Sequence, residues 1–147
     1  MLFITGEYES KLDAKGRLVL PSKLKASLPE ASGNELFLVK GFEPCLMLYP
    51  QVEYRKIYSK IAGLNEFNKE FRRLQRNFFR GSTQVELDNA GRFLIPKPMA
   101  IHAGLQKECI LVGMGNRMEL WDPVRYDDFL IKDPQELSAL AEKYLNE

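Results

Sequence analysis

Histidine is almost missing from this chain, with His102 the only one among 147 residues. In the run Ile101-His102-Ala103-Gly104-Leu105 a lone imidazole suits a helix C-terminus or a packed position rather than catalysis. Cysteine is nearly as scarce. Cys45 and Cys109 both sit in apolar runs, which fits reduced core thiols, with a disulfide or metal pair as the alternative, and argues against a stapled secreted fold. There is no Gly-rich Lys-Ser/Thr phosphate loop, no Gly-x-Ser-x-Gly elbow and no clustered His/Cys ligand set. Separated carboxylates such as Glu119 and Asp122 are accounted for by surface or cap roles. The expectation is therefore no catalytic residue, no metal and no cofactor.

An excess of one charge is lacking too. Lys and Arg number 21 and Asp and Glu 20, a formal charge of +1, so no global field favours phosphate or an anionic surface and any basic site must be local. Long apolar runs are also absent: Leu2-Phe3-Ile4 is cut off by Glu7 and Glu9, far short of a secretory core, which leads us to expect no membrane partner and a cytoplasmic location. With 45% hydrophobic and 28% charged residues, the chain reads as an ordinary globular one, long enough for one domain and short for two.

What is present is a duplication. Gly6 to Leu24 reads GEYESKLDAKGRLVLPSKL and Gly81 to Met99 reads GSTQVELDNAGRFLIPKPM, with Asp13/Asp88, Gly16/Gly91, Arg17/Arg92 and Pro21/Pro96 in register at one offset of 75 positions. A unit this small cannot bury a core alone, so each copy must find its partner in the other. We expect a single pseudo-two-fold domain with repeat one at 1–76 (core about 5–52) and repeat two at 77–147 (core about 77–124).

Alternation of Tyr8, Ser10 and Leu12 with Glu7, Glu9 and Lys11, then Leu18 and Leu20, predicts a β-hairpin; Val85, Leu87, Phe93 and Ile95 predict its second copy. Pro21 precedes a short helix over Ser22 to Leu28, and Pro96 one ending near Gly104. Strands follow at Leu36–Lys40, Cys45–Tyr49, Cys109–Val112 and Met118–Trp121. Helical stripes follow in turn: Tyr54/Ile57/Tyr58/Ile61/Leu64, Phe67/Phe71/Leu74/Phe78, Phe129/Leu130, and Leu137/Leu140/Ala141/Tyr144/Leu145. Asp122-Pro123 and Asp133-Pro134 each read as an N-cap with proline at the first helical position. Core packing is the ordinary meaning of such stripes, and subunit contact the sharper one.

Asp13 with Gly16, and Asp88 with Gly91, set Asp at the first and Gly at the fourth position of a type I turn closed by a left-handed residue. That turn makes no demand for Arg17 and Arg92, which are expected to project beside the hairpin tips. Across positions 11–25, Lys11, Lys15, Arg17, Lys23 and Lys25 face Asp13 alone, a local charge of +4, whereas positions 86–100 balance to zero. A two-stranded ribbon fits the major groove, with Arg bidentate to guanine or phosphate and Lys on the backbone. Lys11, Lys15, Arg17 and Arg92 are the candidate DNA-binding residues; Asp13, Gly16, Asp88 and Gly91 are the turn formers.

These residues resemble the MraZ family, within the AbrB-like swapped-hairpin group. The likeness extends to Gly6-Glu7-Tyr8, Cys45-Leu46-Met47-Leu48-Tyr49-Pro50, His102-Ala103-Gly104-Leu105 and Glu119-Leu120-Trp121-Asp122, nearly the whole chain. The resemblance implies an α+β fold, a duplicated swapped-hairpin small β-barrel with helices packed outside. It implies a nucleoid-associated transcription regulator of cell-division and cell-wall genes, binding double-stranded DNA at promoter repeats. It also implies a ring homo-oligomer of about eight or more subunits, and DNA contacts at Asp13, Lys15, Gly16 and Arg17 and at Asp88, Gly91 and Arg92. The second turn departs from the first in having Asn89-Ala90 where the first has Ala14-Lys15, so it lacks a second cation. Both aspartates read as turn formers, since a carboxylate facing phosphate is repelled. A protein–protein adaptor or scaffold of the same barrel class is the alternative function, and a hydrolase would require convergent acids in a pocket.

Overall fold

The computed structural model describes residues 2–30 and 34–146; the end points 1 and 147 of the two expected repeats lie outside them. The two halves repeat one order of elements. The first runs β1 (Glu7–Lys11), β2 (Arg17–Val19), α1 (Ser22–Ala26), β3 (Glu35–Lys40), β4 (Leu46–Pro50), α2 (Gln51–Ala62) and α3 (Lys69–Arg80). The second runs β5 (Ser82–Glu86), β6 (Arg92–Leu94), α4 (Lys97–Ala103), β7 (Glu108–Gly113), β8 (Met118–Trp121), α5 (Pro123–Phe129) and α6 (Pro134–Leu145).

The expected hairpins form only at their tips. Within the first copy the Asp13 amide donates to the Arg17 carbonyl at 2.9 Å and Leu12 bridges Leu18, but β1 pairs with β7 and not with β2. In the second copy β5 pairs with β3, and the two short arms β2 and β6 pair with each other. Every arm thus takes its ladder from the other half. The cause lies in the arms themselves: β2 and β6 are three residues long with one buried side chain each, Leu18 and Phe93, too little for a two-stranded hairpin to stand on. The structure is mixed α and β, with an antiparallel six-stranded sheet in the order β1-β7-β8-β4-β3-β5 and the separate β2–β6 ribbon.

Alternation along the strands feeds two faces of the sheet. Leu36, Leu38, Leu46, Leu48, Leu111, Met118 and Leu120 point to one side, where the ribbon's Leu18 and Phe93, Leu24 of α1 and Met99 and Ala103 of α4 complete the main core. Val39, Met47 and Tyr49 point to the other, under Tyr54 and Ile61 of α2 and Phe78 of α3. Cys45, Ile110 and Trp121 do the same under α5. Both cysteines are buried free thiols. α1 is shorter than Ser22–Leu28, stopping at Ala26, because Leu28 precedes Pro29 and is steered away from helical backbone.

Candidate nucleic-acid interface

At each turn the same short-range chemistry recurs. Asp13 Oδ1 accepts from the amides of Lys15 and Arg17, both at 2.9 Å, and Asp88 Oδ1 from those of Ala90 and Arg92 at 2.9 Å. The Gly16 and Gly91 amides close the turns onto the Asp13 and Asp88 carbonyls at 3.0 and 2.9 Å. Gly16 has φ +82° and Gly91 φ +74°, a region that a Cβ disfavours. The glycine carbonyls then lock the two halves together: Gly16 accepts from Ile95 at 3.0 Å and Gly91 from Leu20 at 2.9 Å.

The arginines are not idle in this arrangement, contrary to the expectation that the turn has no use for them. Arg17 Nε donates to Asp13 Oδ2 at 2.8 Å and Arg92 Nε to Asp88 Oδ2 at 2.9 Å, and both side chains are half-buried rather than free beside the tip. The four-residue spacing of Asp and Arg in both copies was the signal for this clamp. It takes up Nε–H and leaves the two Nη groups of each guanidinium without a partner among the described residues, so the planar end that matches guanine or phosphate stays available. Asp13 and Asp88 are held below the ordinary carboxylate value of 3.8, chiefly by the Arg17 and Arg92 amides; desolvation opposes this, and the guanidinium and the second amide reinforce it.

The ribbon brings the two clamps onto one surface. Arg17 lies opposite Leu94 and Val19 opposite Arg92, while Leu18 and Phe93 form the inward pair between them. Directly opposed residues share a side, so Arg17, Val19, Arg92 and Leu94 all face outward, with the arginines diagonal to each other at about 7–8 Å between backbones. Val19 and Leu94 are 44% and 55% exposed. The motif reading passed over these two, though their alternation with Leu18/Leu20 and Phe93/Ile95 already placed them outside. Apolar side chains between two arginines are suited to contacting thymine methyl groups beside guanine edges.

Of the other candidates, Lys15 is exposed at the first tip and Lys23 and Lys25 flank it on α1, on either side of the buried Leu24. Lys11 is not on the ribbon: it ends β1, directly opposite Glu108 of β7. Glu119 accepts from Trp121 Nε1 at 3.0 Å and Asp122 caps α5 through the Arg125 amide at 3.1 Å, which are structural tasks. His102 sits in the last turn of α4, where its carbonyl accepts from Arg125. Burial pushes Cys45 and Cys109 up to about 12. No helix among the described residues is long and apolar enough to cross a membrane.

The family model described as "MraZ protein, putative antitoxin-like" matches twice, at residues 3–77 and 78–146. The chain is 54% identical over 145 residues to a protein of Cytophaga hutchinsonii named transcriptional regulator MraZ, covering 99% of this chain and 96% of the relative. Proteins of the same name from Pediococcus pentosaceus and Symbiobacterium thermophilum are each 36% identical, over 96% and 94% of this chain and 96% and 97% of their own lengths.

Proposed function

The chain belongs to the MraZ family, and from that premise we propose that it is a transcriptional regulator that lays its β2–β6 ribbon on double-stranded DNA at repeated promoter elements of cell-division and cell-wall genes. The observation that carries this reading is the convergence of two clamped arginines on one exposed ribbon face. Arg17 and Arg92 supply the base or phosphate contacts. Lys15 holds the backbone beside the first tip, and Lys11 contributes from β1 with its charge partly offset by Glu108. Asp13, Asp88, Gly16 and Gly91 set the geometry and do not touch DNA.

Exchange of strands between repeats 1–76 and 77–147 supports reading their cores, about 5–52 and 77–124, as one swapped-hairpin barrel unit. Each subunit offers a single small ribbon, well below the surface a specific protein–DNA complex normally buries. Affinity then has to come from several ribbons held together, as in a ring of about eight or more subunits engaging successive elements at high effective concentration. The regulator works in the cytoplasm on the nucleoid. Footprinting of the purified protein on DNA upstream of its own gene tests the proposal: protection should fall on short repeated elements at regular spacing. Uniform weak protection, or none, would sink it.

A further inference from the structure

The ribbon is not the only basic surface of the molecule. Residues 51–80 hold eight cations against three acids, a sum of +5 in a chain whose total is +1, so all the other residues together sum to −4. Within α3, Lys69, Arg72, Arg73, Arg76 and Arg80 are all exposed, and at about 100° per residue they fall within one arc of about 100°. Phe78, 4% exposed and stacked on Tyr54, lies on the opposite side of the helix, so the stripe of cations points away from the sheet. Phe67 was expected in the apolar stripe of α3, but Asn68 caps the helix, accepting from the amides of Glu70 and Phe71, and Phe67 falls outside it. Among the described residues none of the five cations makes an ion pair.

Five unpaired cations on one face suit a polyanion, and their chemistry narrows which. Four of the five are arginines, whose planar fork matches phosphate oxygens. Arg72, Arg76 and Arg80 recur every four residues, about 6 Å apart along the axis, a step close to that between neighbouring phosphates on one strand. A lipid surface fits less well. An interfacial helix buries its apolar side among the headgroups, and that side of α3 is already taken: Val39, Met47, Tyr49, Tyr54 and Ile61 surround Phe78.

We propose that the α3 stripe is a second site for double-stranded DNA, one that reads no sequence and grips the phosphates of a segment other than the one on the ribbon. The inference rests on the DNA reading above and adds a second surface to it. The ribbon packs on one face of the six-stranded sheet and α3 on the other, so a duplex laid on the ribbon does not reach the stripe. Nor does that duplex bend round the molecule within a few base pairs, given a persistence length of about 150 bp. The stripe therefore meets another stretch of DNA. The regulator holds two stretches at once, one chosen by sequence through Arg17 and Arg92 and one held by charge alone.

The test is binding of a fluorescent duplex that lacks the repeated elements, measured across a salt series with full-length variants. Arg73→Gln/Arg76→Gln/Arg80→Gln alters exposed positions and leaves Arg72, whose Nη1 donates to the Glu66 carbonyl at 2.9 Å; thermal melting checks the fold. This variant should bind the plain duplex with a salt slope shallower by up to about 2.7, at about 0.9 for each of three phosphates released, while its footprint on the repeated elements stays in place. Arg73→Lys/Arg76→Lys/Arg80→Lys keeps the charge and should keep most of the slope. Lys107→Gln/Lys132→Gln/Lys143→Gln removes the same charge from exposed positions of the other half and should leave the slope alone. Arg17→Ala/Arg92→Ala should lose the footprint and still bind the plain duplex. A wild type that binds no duplex would overturn the DNA reading and this site together. A ribbon variant that loses the plain duplex as well, or a glutamine stripe variant with wild-type slope, would refute the second site alone. So would an equal loss of slope in the Lys107/Lys132/Lys143 variant, which would reduce the effect to net charge. A fall in mass of the stripe variant by light scattering would assign the stripe to contacts between copies, and anionic vesicles displacing the plain duplex from the ribbon variant would assign it to a membrane surface; either result would contradict the proposal.

Discussion

Replacing Arg17 with alanine separates the brace it gives the turn from the DNA contact proposed for it. The brace is one ion pair at 2.8 Å between side chains 31% and 36% exposed, a setting in which such pairs contribute about 0–1 kcal/mol. Both backbone amides that bond Asp13 remain after the substitution, so the turn keeps its main restraint. At about 2–4 °C per kcal/mol for a chain of this size, melting should fall by no more than about 4 °C. A lost guanine or phosphate contact costs about 1–3 kcal/mol, roughly 5–150-fold in affinity for each engaged ribbon, compounded when several ribbons bind together. Fluorescence anisotropy with a duplex carrying the repeated elements, read beside a melting curve, distinguishes the tasks. Arg17→Lys is the control: it keeps the charge and loses the fork, so it should retain the salt dependence while discriminating less between sequences. A folded Arg17→Ala protein with wild-type affinity and wild-type salt slope would refute the reasoning.

Arg92→Ala should weaken DNA binding less than Arg17→Ala does, because its tip carries Asn89 and Ala90 where the first has Ala14 and Lys15; anisotropy giving the reverse order would count against the charge argument. Gly16→Val at φ +82° should destabilise the protein by about 1–2 kcal/mol, seen as a lower denaturation midpoint, since the added Cβ meets nothing closer than 3.6 Å and backbone strain alone is at stake. Asp13 and Asp88 have depressed values in the folded state, so their contribution to stability is present above the ordinary carboxylate value of 3.8 and is lost as pH falls through the lower folded values; Asp13→Asn/Asp88→Asn should flatten the acid limb of a melting-temperature profile. Cys45 and Cys109, pushed up to about 12 by burial, should resist a thiol reagent at neutral pH until the protein unfolds, and rapid labelling of the folded protein would contradict their place in the core.

Local chemistry was the legible part of the sequence. Aspartate two residues before a turn amide, glycine where φ must be positive, and Asp-Pro at the starts of α5 and α6 all act within a few residues, and each is where the motif placed it. Strand pairing was not legible, because Leu18 and Phe93 say only that each arm has an inner face and nothing about which strand covers the other edge. That β1 joins β7 and β5 joins β3 is decided by long-range packing. The helical stripes were ambiguous for the same reason. Phe78 is buried at 4% and Leu145 stands in solvent at 80% exposed, although both end apolar stripes at helical spacing. The arginines were misread as free because the reading followed the turn and not the four-residue reach of a side chain back to Asp13.

The central claim is that a local basic ribbon, on a chain of nearly neutral total charge, grips DNA phosphates and base edges. Affinity for a duplex of repeated elements, measured across a salt series, tests it most directly. Each neutralised phosphate contributes a slope of about −0.9 in the logarithmic plot, so an assembly engaging several ribbons should lose affinity steeply with salt, and Arg17→Ala should make the slope shallower. Affinity that stays flat with salt, or affinity and slope both unchanged by removing Arg17, would contradict the account.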